Sequence, residues 1–229
     1  MAQNEYDIST NDQEQRGQTV LNGEPLEIPP RKKAQWRSSG KISVRTLTLG
    51  ALLTAMVIVL QLLGSFVRFG PFSISLVLIP IVIGAATCGP LIATWLGFDF
   101  GLAVLLSGDA ALFLGIHAPG TVLVVLLKGT LAALAAAWVY RLAERINRYF
   151  AVVLAAIVCP VVNTGVFLVG CRIFFWETVS AWGAGAGFSN PVAYALLGLV
   201  GANFLFELGF NLVLSPVVVR LINIKAKHA

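Results

Sequence analysis

Six long apolar stretches, separated by short polar or glycine-bearing breaks, organise this chain. They run Val44 to Leu63, Phe72 to Cys88, Pro90 to Ser107, Pro119 to Tyr140, Phe150 to Phe175 and Val192 to Ile222. A helix rises about 1.5 Å per residue and the hydrocarbon of a bilayer is about 30 Å thick, so runs of this length predict transmembrane helices. The runs are unbroken where a membrane barrel would alternate with period two, which excludes the barrel. Gly89-Pro90 predicts a tight turn with proline at a first helical position, where its missing N–H costs nothing. Pro80, Pro160 and Pro216 fall inside runs and are expected to bend them. The fold class is therefore all-α: a polytopic membrane protein with six transmembrane helices in a compact bundle.

Composition strengthens that picture. Of 229 residues, 57% are hydrophobic and only 12% charged, and the mean hydropathy is +0.83. Once six spans are set aside, no second folded domain fits. Met1 to Pro30 carries six acids and almost no apolar periodicity, so it is expected to be disordered; its order, acidic then polar then basic, is not that of a signal peptide. Residues 1–43 thus read as a cytoplasmic head with a basic juxtamembrane segment, 44–222 as the membrane domain and 223–229 as a basic tail. Basic residues set the orientation: Arg31, Lys32, Lys33, Arg37, Lys41 and Arg45 flank the start of the first span, Arg141, Arg145 and Arg148 follow the fourth, and Arg220, Lys225 and Lys227 close the chain. Six spans put all three clusters on one side, so both termini are expected in the cytoplasm. The opposite connections are Gly64 to Pro71, Gly108 to Ala118 and Trp176 to Pro191, the last with Trp176, Trp182 and Phe188 as interfacial anchors or a lid. A nucleic-acid patch is the lesser reading of the first basic cluster.

The chemistry concentrates in one layer. Lys128 lies in the fourth stretch roughly 14 Å below the surface by helical rise, and an ammonium there must face the bundle interior, meet an acid or line a watered cavity. Asp99 reaches about the same depth in the third stretch and is the expected partner. Asn203, Glu207 and Asn211 repeat every four residues in the sixth, and Asn163 stands beside Thr164 in the fifth. Such a layer is either a structural lock of buried hydrogen bonds, each worth about a kcal/mol, or a site for a polar solute. Gly97 with Gly101, and Gly129 with Ala133 and Ala137, are spaced to let helices approach closely. Cys88, Cys159 and Cys171 have no metal-ligand spacing, and nothing calls for a metal or a cofactor.

On these residues the chain resembles the substrate-binding, or S, component of energy-coupling factor vitamin transporters. The resemblance covers nearly all of Val44 to Ile222. It is carried by the six short spans, Ala51 and Ala55 in AxxxA spacing, the FSISLVLIPIVIGAATCGP run from Phe72 to Pro90, and the segments SGDAALFL, PGTVLVVLLKG, PVVNTG (Pro160 to Gly165) and NFLFEL (Asn203 to Leu208). The long acidic head departs from the family pattern.

The resemblance implies a multi-pass protein of a bacterial or archaeal plasma membrane. Such a protein binds a vitamin from outside and docks on a transmembrane coupling protein driven by two ATPase subunits. Ala51 and Ala55 would form the docking surface. This chain would hold no ATP site, and it has no GxxxxGK[ST] loop. Lys128 and Arg172 suit a carboxylate-bearing vitamin, pantothenate first and folate second; riboflavin, third, would need a stacking surface such as Trp95, Phe98 and Phe167. The candidate site is Lys128, Asn163, Asn203, Arg172, Asp99, Trp95 and Glu207. An independent carrier or channel, and an intramembrane enzyme, are the alternatives from other classes; the second lacks HExxH, and neither His117 nor His228 lies within a span. No nucleic acid is expected as a partner.

Overall fold

A computed structural model describes residues 43–66, 68–69, 72–73 and 76–227. The acidic head and the basic segment after it lie outside the described residues. Helix α1 (Val44–Gly64) starts at Ser43, whose Oγ accepts the Thr46 N–H at 3.1 Å. Two-residue strands β1 (Arg68–Phe69) and β2 (Phe72–Ser73) pair antiparallel, Phe69 opposite Phe72. There follow α2 (Leu78–Thr87), α3 (Pro90–Leu106), α4 (Ala111–Ala143), α5 (Arg148–Phe174) and α6 (Trp176–Gly185). A single turn, α7 (Pro191–Ala193), leads into a π-helical stretch, Tyr194–Leu199, and then α8 (Gly201–Lys227).

Four of these helices, α1, α4, α5 and α8, are long and apolar enough to cross a membrane, and α2 and α3 are shorter apolar helices. The chain is a multi-pass membrane protein whose described residues are helical apart from the small hairpin and the connecting turns. That hairpin corrects the second stretch. Phe72-Ser73-Ile74-Ser75 alternates apolar and polar with the period of a strand, and the helix begins only at Leu78. Pro80 consequently sits in the first turn of α2, where no intrahelical hydrogen bond is lost.

The fourth stretch also begins differently. His117 breaks helical geometry at φ −151°, ψ 86°, and its Nδ1 accepts the Gly120 N–H at 2.9 Å, the bond pattern of an N-cap. Pro119, which has no N–H to lose, falls in the first turn after that cap. Six residues before the break are helical as well, so the expected connection from Gly108 to Ala118 shrinks to a turn at 107–110. The connection after α5 is likewise mostly the helix α6. At the C-terminal end, α8 continues through Lys227, so the basic tail expected from 223 is helical to that residue.

Packing divides into two regions. One is built of alanine, valine and glycine: Ala132, Ala133 and Ala136 of α4 face Ala151, Ala155, Ala156 and Cys159 of α5, with Leu96 and Phe100 of α3, and all are buried. Here Gly97 and Gly129 let α3 and α4 touch backbone to backbone; a Cβ on Gly97 would overlap the Gly129 carbonyl oxygen. The other region is aromatic. Phe113 lies edge-on to Phe167, Phe175 and Trp182 at 5.5, 5.0 and 5.8 Å between ring centres. Val124, Val179, Leu199 and Val200 complete it.

Candidate functional site

A cavity lies between the two regions, with Phe100, Val104 and Val125 on the alanine-rich side and Phe113, Phe167 and Phe175 on the aromatic side. Its volume is about 60 Å³, room for a few water molecules. The polar lining comes from five parts of the chain: Gln61 of α1, Asp109 in the turn before α4, Thr121 and Lys128 of α4, Asn163 and Thr164 of α5, and Asn203 and Glu207 of α8.

Lys128 is reached by both regions. Its Nζ stands 5.7 Å from the Phe100 ring centre and 5.6 Å from that of Phe167, distances at which a ring face attracts a cation. The acidic residues that share the cavity lining with it are Glu207 and Asp109. Glu207 is 2% exposed; its Oε1 accepts from Asn203 Nδ2 at 3.0 Å. One turn on, Asn211 Nδ2 donates to the Glu207 backbone carbonyl, and Ser215 Oγ to that of Asn211. Those two side chains spend their hydrogen bonds on their own helix, and neither lines the cavity. Near its other edge, Gln61 Nε2 donates to Asp109 Oδ2 and, at 3.3 Å, to Ser107 Oγ, joining α1 to the turn before α4.

Three acceptor atoms of the lining are buried with no hydrogen-bond partner among the described residues: Asn163 Oδ1, Asn203 Oδ1 and Glu207 Oε2. A buried acceptor left unmatched costs about 1–3 kcal/mol. All three belong to residues that line the same cavity.

Of the residues singled out from the sequence, Lys128, Asn163, Asn203 and Glu207 meet here, and three do not. Asp99 is corrected as the partner of Lys128. It is 8% exposed and its Oδ2 has no partner, but α3 presents Phe100 and Val104 to the cavity. At 3.6 residues per turn, position 99 is rotated about 100° away from position 100. Arg172 is exposed, and its guanidinium sits 4.7 Å from the Trp176 ring centre; the cavity face of α5 is that of Asn163, Thr164 and Phe167. Trp95 is 52% exposed and donates from Nε1 to Thr54 Oγ1 at 3.2 Å, tying α3 to α1. Trp182, read as an anchor or a lid, packs on Phe113 of the lining.

Sequence reasoning missed Gln61, Asp109, Thr121 and Phe113. Gln61 left a signal: an amide four residues from the buried Val57, on the stripe Gly50, Leu53, Val57 that fastens α1 to the bundle. The rest of α1 is largely exposed, Ala51 and Ala55 included.

Apolar helices thus surround a cavity whose lining mixes aromatic and aliphatic side chains with Lys128, Glu207, Asn163 and Asn203. Residues 45–219 match the family model described as ECF transporter, substrate-specific component. The chain belongs to that family and is a transporter component, not an enzyme. No curated protein and no solved structure matches it. Membership implies a small-molecule substrate. Among the described residues no group of three His, Cys, Asp or Glu is placed to hold a metal ion.

Proposed function

We propose that this cavity captures a water-soluble B vitamin from outside the cell, pantothenate before folate and folate before riboflavin. The loaded protein then delivers it to a transmembrane coupling protein powered by two ATPase subunits. The observation that carries the reading is the convergence of Lys128, Asn163, Asn203 and Glu207 on one cavity with three buried acceptors left unmatched. A purely structural lock would consume its polar groups in bonds between helices. The narrowness of the cavity favours a slender chain such as pantothenate over fused rings, and even that ligand needs the aromatic side to yield. Ala51 and Ala55, on the free flank of α1, form the face on which the coupling protein docks.

The test is binding of labelled vitamins to the purified chain in nanodiscs, followed by uptake in vesicles with and without a coupling module. One vitamin should bind saturably to the chain alone and be transported only with the module; transport by the chain alone would overturn the assignment. Ala51→Trp or Ala55→Trp should leave binding intact and abolish uptake. With both termini cytoplasmic, a cysteine at Ser180 should be labelled from outside and one at Ser39 should not.

A further inference from the structure

Resting on the reading of the cavity as the vitamin site, the unmatched groups say what the vitamin must look like. We propose that the ligand meets Glu207, Asn203 and Asn163 through N–H or O–H donors of its own while an acceptor of the same molecule takes Lys128, so that the site rejects simple anions.

The orientation of Asn203 follows from its contact with Glu207. Asn203 Nδ2 donates to Glu207 Oε1, and turning that amide over would set its oxygen against a carboxylate oxygen, so Asn203 Oδ1 is held as the open end. Glu207 Oε2 and Asn163 Oδ1 are open as well, on side chains 2% and 4% exposed. All three are acceptors, and they come from two helices, α5 and α8. Lys128 offers the complementary chemistry. It can only donate, it lies between two phenyl rings, and it makes no hydrogen bond within the described residues.

Charge points the same way. The lining holds one cation, Lys128, and two acidic side chains, Asp109 and Glu207. A bare carboxylate ligand would gain the ammonium and face three unmatched oxygens, one belonging to an acid. A molecule with an acceptor at one end and hydroxyl, amide or ring N–H donors at the other matches every open group at once. A lone positive charge on the ligand would leave Lys128 opposed.

Binding to the purified chain in nanodiscs tests this with two sets of probes. Pantothenate, folate and riboflavin carry donors as well as acceptors; nicotinate and lipoate are acids without an N–H or O–H donor at neutral pH. At least one of the first set should bind, and both of the second should bind at least a hundredfold more weakly than it. Glu207→Leu should weaken the bound vitamin at least tenfold, and Glu207→Gln, which keeps an acceptor oxygen, should restore it to within about threefold. If Glu207→Leu does not fold, as judged by its elution profile, Asn163→Leu carries the same expectation. Donor-free acids binding as tightly as the donor-bearing vitamins, or an unchanged affinity in the leucine variant, would overturn the donor requirement and leave the vitamin reading standing. No binding of any probe to the unaltered chain would overturn both.

Discussion

The alanine-rich region and the aromatic region share helices α4 and α5 and pack by different means. Around Gly97 and Gly129 the helices touch through backbone, with Ala132, Ala133, Ala136, Ala151 and Ala155 all fully buried. Small side chains in that setting have few rotamers and no slack, so this end behaves as one rigid block. Around Phe113 the same α4 and α5 carry rings that meet edge-on, with Gly170 of α5 seated closely on Val124 of α4, and the elements that join them are α6 and a π-helical stretch. Rings can turn about two side-chain bonds without moving a helix, and a π-helical turn interrupts regular hydrogen bonding, often beside a functional site. Val124 and Val125, adjacent in sequence, join different regions, and three residues later Lys128 touches a ring from each. On the proposed reading the difference says where a ligand would be admitted: the alanine-rich block would fix Lys128, and the aromatic side would have to yield.

The sharpest break of this contrast is Gly97→Leu. Its side chain would collide with the Gly129 backbone, and overpacking without room to relax should cost about 3 kcal/mol or more. The variant is expected to lose its monodisperse elution in detergent; a native profile and melting temperature would show that the block is softer than its geometry. Phe113→Leu probes the other side. It removes three edge-on ring contacts, worth about 0.5–1.5 kcal/mol each beyond area, and should lower the melting temperature by a few degrees while changing vitamin affinity several-fold. A larger loss of stability than in Gly97→Leu would reverse the comparison. Smallest is Asp99→Asn. With the aspartate turned away from the cavity, vitamin affinity should stay within twofold by equilibrium binding, and a tenfold loss would put Asp99 back beside Lys128.

Much of this was legible in the chain. Run lengths gave the apolar helices, and the four-residue spacing of Asn203 and Glu207 gave a polar stripe. The glycine pair Gly97 and Gly129 also lay where helices were expected to touch. What failed was rotation. Depth along a helix follows from counting, but Asp99, Arg172 and Trp95 were assigned by depth or residue type alone, and the turn between positions 99 and 100 decides which enters the cavity. The F-S-I-S alternation at 72–75 and the capping role of His117 were present as local patterns too short to stand out against long apolar runs. Gln61 and Asp109 belong to the site because α1 and the turn at 107–110 come together, a contact between segments 48 residues apart that periodicity does not report.

The central claim is that Lys128 belongs to a ligand site lying between the two regions, and Lys128→Met tests it most directly. Removing one member of a buried, matched set of charges typically costs about 2 kcal/mol or more in binding. In nanodiscs, the variant is expected to keep the elution profile and melting temperature of the unliganded parent and to bind the vitamin at least tenfold more weakly, with or without Asp99→Asn. Affinity within twofold of the parent would make Lys128 part of the scaffold and contradict the account.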